Sequence, residues 1–395
     1  MKFAVISDIV YRANLPDDPN CLSAYGSEPY HCLLARELVR RGHEVDWYAP
    51  AGSTELTEYN VKFHPLMCIF GSSSSPEGLQ YLQDIQEEPT NPYSGLHMPN
   101  MIDYSLDTVS FDESKTSDLL KNDLVIDMTT RCMDIEKLKW YHGFNKYVCY
   151  RNGYAANYHP RLKTEERHYV VPSRQNQKLF KQMGGFDAEM VYYGIDDGFY
   201  KPGSDAEYWS YFDKKGLTQK EYWVFPHRTT SEKGMYVLLK LAKDFPDEIF
   251  VICAQSAIPE HKIQLIEFLR TVSKMNLDNV EYVPVPIEPR HHYFKRELIR
   301  NAKGCLSPFR AQQYQEGFGL SNAESVAVGT PLLITDSDST QELWKNEVDG
   351  LFCDGDYHSY RLAIKHWSSY DFHPVNKFSL NEFAKGYEEL VNKYS

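Results

Sequence analysis

Short apolar runs alternate with helix-period segments along most of the chain, and this alternation limits the fold more than any other feature. Residues 2–7 read as a buried strand, 29–41 as a helix with Leu33, Leu34, Leu38 and Val39 at helical spacing, and 43–48 as the next strand. Gly42 is placed to stop that helix. Strand, helix and strand in sequence form a βαβ unit with a right-handed crossover. Further on, a helix is expected over 108–121 and strands over 123–128, 146–150 and 169–171. The stretch 194–203, with Pro202 near its end, reads as the join between halves.

The second half repeats the rhythm. Strands are expected at 223–225, 249–254, 280–284, 304–307 and 331–335, with helices at 234–243, 258–274, 296–302 and 321–328. The expected fold is α/β, with two Rossmann-like parallel-sheet domains facing across a cleft. Their expected bounds are 1–197 and 198–375, and a helical segment over 376–395 is expected to cross back to the first domain. One stretch breaks the pattern: four serines at 72–75 are followed by Pro76, Pro89, Pro92 and Pro99. It reads as a surface excursion or as a flap over a bound substrate.

Charge narrows the function. The 395 residues include 42 basic and 55 acidic ones, a formal net of -13, which excludes a general nucleic-acid binder. The first half shares that acidic balance, which disfavours a basic membrane-docking face. No run approaches the roughly 20 apolar residues of a membrane span. The N-terminus turns polar after Ile6 and reads as a strand rather than a signal peptide. Eight scattered cysteines contain no Cys-x-x-Cys pair, so no zinc site is expected and the thiols read as reduced, in a cytoplasmic setting.

In open α/β sheets, ligands bind beyond the carboxyl ends of the strands, so the strand–helix loops are the places to look. Glu316-Gly317-Phe318-Gly319-Leu320-Ser321-Asn322-Ala323-Glu324 follows the strand at 304–307 and sets two carboxylates on either side of a helix start. The helix N-terminus suits a phosphate, and a carboxylate about a turn further on suits a vicinal diol such as a ribose. An ordinary glycine turn with solvated glutamates, or an N-cap, reads equally well from spacing alone. His227-Arg228-Thr229-Thr230-Ser231-Glu232-Lys233-Gly234 follows the strand at 223–225, and its two cations either hold a diphosphate or form a solvated basic turn. Gly26 in the first loop permits close approach of backbone to a ligand. The Gly-x-Gly-x-x-Gly fingerprint of nicotinamide enzymes is missing from the positions where it would belong, and no Walker, nucleophile-elbow or His-Glu-x-x-His motif occurs.

Taken together, these motifs resemble those of the retaining nucleotide-sugar glycosyltransferases of family 4, which have the GT-B double-Rossmann fold. The resemblance covers most of the chain and is best over 191–352. Tyr193-Gly194-Ile195-Asp196 with Phe199 and Pro202 is similar to the family's Asn-Gly-Val-Asp…Phe-x-Pro linker, and Arg41-Gly42-His43-Glu44-Val45 to its Arg-Gly-His-Glu-Val. Arg228 and Lys233 fall where the family keeps its diphosphate-binding pair, and Glu316 and Glu324 match its Glu-x7-Glu. The resemblance implies a first domain that binds the acceptor and a second that binds the nucleotide sugar. Glu316 would bind the donor sugar, Glu324 the ribose, and Arg228 and Lys233 the leaving diphosphate. Phe318, Gly319 and Leu320 would complete the clamp through backbone amides, and Gly26 would approach the donor.

Three departures from the family pattern stand out. No His follows the strand Leu124-Val125-Ile126-Asp127, so Asp127 is either its polar substitute or structural. The first-loop Gly-Gly is Gly26-Ser27, and a later Gly-x-Gly is Ala254-Gln255-Ser256. Arg151 is a further candidate at the end of a first-domain strand. The expected activity is metal-independent transfer of a sugar from a UDP, GDP or ADP sugar to a glycan or other glycoconjugate hydroxyl, with no cofactor. The alternatives are a non-catalytic nucleotide-sugar-binding protein and a sugar-nucleotide epimerase.

Overall fold

A computed structural model describes residues 1–6, 28–50, 60–71, 105–110, 118–119, 121–128, 147–150, 168–184, 187–195, 216–253, 259–283, 292–309 and 316–394. The chain divides into two compact units, one of Met1–Gly194 with Ser379–Ser395 and one of Ile195–Phe378.

The first unit is built on one sheet. Its strands are β1 (Lys2–Ile6), β2 (Glu44–Pro50), β3 (Lys62–Gly71), β4 (Ser105–Ser110), β5 (Leu124–Asp127), β6 (Tyr147–Tyr150), β7 (His168–Val171) and β8 (Ala188–Met190). They lie in the order β4-β3-β2-β1-β5-β6-β7-β8, parallel throughout except for the antiparallel pairing of β3 with β4. Central strands β1 and β5 are apolar and buried at nearly every position, as expected of strands covered on both faces. Helix α1 (Glu28–Arg40) follows β1 and buries Leu33, Leu34, Ala35 and Leu38.

The last helix, Leu380–Tyr394, belongs to this first unit. Glu388 on it accepts from Arg41 Nε at 2.5 Å, Arg41 Nη2 at 2.6 Å and His43 Nε2 at 2.6 Å. Phe383 packs at a tilt against Tyr193, and Tyr394 stacks on His168. The Arg41-Gly42-His43 motif therefore anchors the C-terminal helix. Hydrogen bonding from Arg41, with further help from His43, holds the Glu388 carboxyl down at about 2.

The second unit has a fully parallel sheet. Its strands are β9 (Tyr222–Phe225), β10 (Ile249–Ile252), β11 (Val280–Tyr282), β12 (Gly304–Ser307), β13 (Leu332–Thr335) and β14 (Gly350–Cys353), ordered β11-β10-β9-β12-β13-β14. Strand order reverses direction at β9 and β12, the switch point where doubly wound sheets present loops to a ligand. The helices that matter for the site are Met235–Asp244 after β9, His292–Arg300 before β12, and Leu320–Ala327 before β13.

Several expectations need correction. Residues 108–110 of the expected helix over 108–121 belong to strand β4, which pairs at the sheet edge with β3; helical structure is described only at 118–119. The helix expected over 296–302 runs instead from His292 to Arg300. Strands β3, β8 and β14 and the helices Arg174–Gly184, Asp338–Leu343 and Tyr357–His366 went unread. The serine- and proline-rich excursion at 72–100 lies outside the described residues.

Candidate functional site

Two loops at the switch point of the second sheet carry the charged motifs. Strand β9 leads through Pro226 and His227 into a single 3-10 turn, Ser231–Lys233, closed by Gly234 at φ 81°. A Cβ at Gly234 would stand 1.8 Å from the carbonyl oxygen of Pro308, so only glycine lets this turn lie against the residue following β12. Past β12, Gly319 opens the helix Leu320–Ala327 at φ 70°, with Asn322 Nδ2 only 2.7 Å from where its Cβ would be. Ser321 Oγ donates to the Pro226 carbonyl at 3.3 Å, which ties the start of that helix to the end of β9.

The side chains then meet in pairs. Lys233 Nζ donates to Glu316 Oε2, joining the two motifs directly. Lys295 Nζ, from the helix His292–Arg300, donates to Glu324 Oε2 at 2.6 Å, and both residues are buried. Burial alone pulls the Lys295 ammonium down; the Glu324 carboxylate outweighs it, and the net direction is up. Arg228 approaches Glu232 at 3.9 Å. His227 sits buried in the field of Lys233, Lys295 and Arg228. Burial first, and then those three charges, hold its imidazole well below the ordinary value, so it is neutral at physiological pH. Its Nε2 is buried and has no hydrogen-bond partner among the described residues.

Three of the expected site residues contribute backbone or packing to this arrangement. Phe318 is buried edge-on against Phe378, centroids 4.8 Å apart, and Phe378 in turn meets Trp344. It anchors the turn that sets Gly319 and Leu320 at the head of the helix, where the first amides lack intrahelical acceptors.

In the first unit, Asp127 ends β5 and is buried, in register with Ile6 and Cys149. His31, in the first turns of α1, feels its charge; burial pushes the imidazole down to about 3, with Asp127 opposing. Gly26, Arg151, Asp196, Phe199, Pro202 and the 254–256 loop lie outside the described residues.

The sequence alone does not mark Lys295 or His31, and it shows His227 only as part of the basic turn. Lys295 lies 29 positions from Glu324, and no local spacing links them. Among the described residues no cluster of three His, Cys, Asp or Glu side chains is arranged to hold a metal ion. No helix among them is long and apolar enough to cross a membrane. Chemically, the second unit offers the cations Arg228, Lys233 and Lys295, the carboxylates Glu232, Glu316 and Glu324, and a helix N-terminus on the switch-point loops and the helices beside them. That combination suits a ligand carrying both anionic and hydroxyl groups.

No family model matches the chain. Over 176 residues it is 27% identical to "Putative glycosyltransferase YtcC" of Bacillus subtilis (strain 168), a match spanning 42% of this chain and 41% of that protein's length. Among solved structures, Anabaena Alr3699/HepE in complex with UDP and glucose aligns over 99% of both chains with a TM-score of 0.63 and 14% identity. Sucrose-phosphate synthase from Thermosynechococcus elongatus aligns over 99% of this chain and 94% of its own, with a TM-score of 0.60 and 16% identity. At such identities the likeness is one of fold, and the fold is that of the GT-B glycosyltransferases.

Proposed function

We propose that the chain is a glycosyltransferase that moves a sugar from a nucleoside-diphosphate sugar to a hydroxyl of a glycan or glycoconjugate, with retention at the anomeric carbon. The observation that carries this reading is the charged set of the second unit: Arg228, Lys233 and Lys295 beside Glu316 and Glu324, at the switch-point loops and the head of the helix Leu320–Ala327. The match to YtcC supports a glycosyltransferase, and the likeness of fold to HepE, whose structure holds UDP and glucose, supports this class of donor.

Each residue then has a task. Before the donor binds, Lys233 and Glu316 neutralise each other. The diphosphate takes over Lys233, Arg228 adds a second cation, and the amides of Gly319 and Leu320 complete the cradle. Fixed cations stabilise the negative charge that grows on the departing diphosphate, and this is the work a metal ion does in other transferases. Glu316, released from Lys233, accepts from hydroxyls of the sugar and steadies positive charge near the anomeric carbon. Glu324 accepts from the ribose hydroxyls. The acceptor hydroxyl attacks on the face that the diphosphate leaves: the anomeric carbon–phosphate oxygen bond breaks as the new glycosidic bond forms, the hydroxyl proton passes to the departing phosphate oxygen, and same-face attack retains the configuration. The acceptor falls to the first unit, with Asp127 as its polar group. The setting is cytoplasmic.

A thermal-shift screen with UDP, GDP and ADP sugars identifies the donor. A transfer assay then follows nucleoside diphosphate release together with the glycosylated product. Wild-type transfer that drops at least a hundredfold in Glu316→Ala and in Lys233→Ala supports the reading. Transfer that survives both changes overturns it. Donor binding without transfer would indicate a binding protein, and interconversion of sugars without release of nucleotide would indicate an epimerase.

A further inference from the structure

We propose that Lys295 is a positioning residue: it locks the Glu324 carboxylate in the orientation that accepts two neighbouring hydroxyls, and so gives the site its preference for a ribonucleoside diphosphate over its 2′,3′-dideoxy counterpart. The inference rests on the function proposed above and adds a residue to it.

The geometry begins with burial. Glu324 is 5% exposed and Lys295 8%, and their 2.6 Å contact joins the helix Leu320–Ala327 to the helix His292–Arg300. A carboxylate at this depth is strongly disfavoured without a partner, and the lysine supplies one. The more specific consequence is rotational. The last torsion of a glutamate is broad, so an unrestrained carboxylate turns its plane freely. A vicinal diol needs two acceptor directions held at fixed separation, which a turning carboxylate does not provide. Lys295 engages Oε2 alone. A carboxylate has about four lone-pair sites, so one lysine contact fixes its plane without exhausting what it can accept.

The surroundings explain why the lysine stays charged and in place. Cys253 at the end of β10 and Cys305 in β12 flank it, and burial pushes both thiols up to about 12, which leaves them neutral. With both thiols neutral, Glu324 is the anion acting on Lys295, and its attraction outweighs the lysine's burial. A purely structural ion pair would serve stability and have no bearing on the ribose hydroxyls. The preference between ribo and dideoxy ligands therefore separates the two roles.

The test uses the full chain and calorimetric titration of UDP, GDP and ADP, each paired with its 2′,3′-dideoxy analogue. Wild type is expected to bind one of the three and to favour its ribo form at least tenfold. Lys295→Met is expected to cut that preference to threefold or less, with a smaller change in affinity for the dideoxy ligand. Glu324→Gln is expected to lose the preference as well, and Lys295→Met in that background is expected to change it no further. This double variant also removes the unpaired buried charge, so it reports even where Lys295→Met alone fails to fold. A folded Lys295→Met variant that keeps the tenfold preference overturns the inference while leaving the donor site intact. So does a further loss of preference in the double variant, because Lys295 would then touch the ligand itself. A wild type that binds none of the three nucleotides overturns the proposed function along with it.

Discussion

Replacing Gly234 with alanine tests how the basic turn is held in place. The residue sits at φ 81°, where an L side chain costs about 1–2 kcal/mol. The added Cβ would lie 1.8 Å from the Pro308 carbonyl oxygen and 2.6 Å from its carbon, both backbone atoms that cannot swing aside. Forcing them apart adds about 1–3 kcal/mol, the usual penalty for overfilling a packed contact. A total of about 3 kcal/mol corresponds to a fall of roughly 6–12 °C in the melting temperature of a unit this size. Thermal unfolding followed by tryptophan fluorescence reports on the second unit through the edge-on pair Trp223 and Trp367. Gly234→Asn separates the two causes. Asparagine tolerates positive φ but carries the same Cβ, so it is expected to keep the loss from the clash and to recover up to about 1–2 kcal/mol relative to alanine. Since Lys233 is the adjacent residue, donor affinity is expected to fall in both variants. A melting temperature within 2 °C of wild type in Gly234→Ala, by the same size scaling, would refute the claim that this turn is pinned against Pro308.

Two further outcomes concern the first unit. Glu388→Gln weakens the bonds from Arg41 and His43 to the C-terminal helix and is expected to cost about 1–2 kcal/mol, less than a fully buried charged contact because the site is partly open to solvent; chemical denaturation with no change in midpoint would contradict it. His31 refuses a proton until about pH 3 in the folded state, whereas the unfolded chain takes one near 6.5. Stability is therefore lost as pH falls from 6.5 towards 3, and His31→Gln is expected to show a shallower loss, by up to about 1.4 kcal/mol per pH unit. Parallel stability curves for the two proteins would rule out that role.

The fold was legible because parallel strands buried on both faces leave short, nearly continuous apolar runs, as at Leu124–Asp127 and Gly304–Ser307. Edge elements were not legible. Strand β4 pairs antiparallel at the sheet margin, and its six residues, Ser-Leu-Asp-Thr-Val-Ser, carry too little pattern to separate a strand from the start of a helix. The helix His292–Arg300 starts earlier than expected, its first turn holding Tyr293 and Phe294 ahead of Leu298 and Ile299. A signal was overlooked at Ser337 and Asp356, whose side chains accept from Thr340 N and Ser359 N and cap the helices Asp338–Leu343 and Tyr357–His366. Of the candidate site, glycines in the sequence mark the loops that hold Arg228, Lys233, Glu316 and Glu324, while spacing alone left their roles open and the family resemblance implied them. Lys295 could not, because its partnership exists only once two helices from separate parts of the chain are packed together. His31 was hidden for the same reason, since Asp127 reaches it only through the sheet.

A crystal structure with the bound nucleoside-diphosphate sugar, chosen by the thermal-shift screen, tests the central claim most directly. The account predicts the diphosphate against Lys233 and Arg228, with the Lys233–Glu316 pair opened, and the ribose hydroxyls on Glu324 with Lys295 still bonded to its Oε2. A diphosphate bound away from these loops, or a Glu324 carboxylate turned from the ribose, would contradict it.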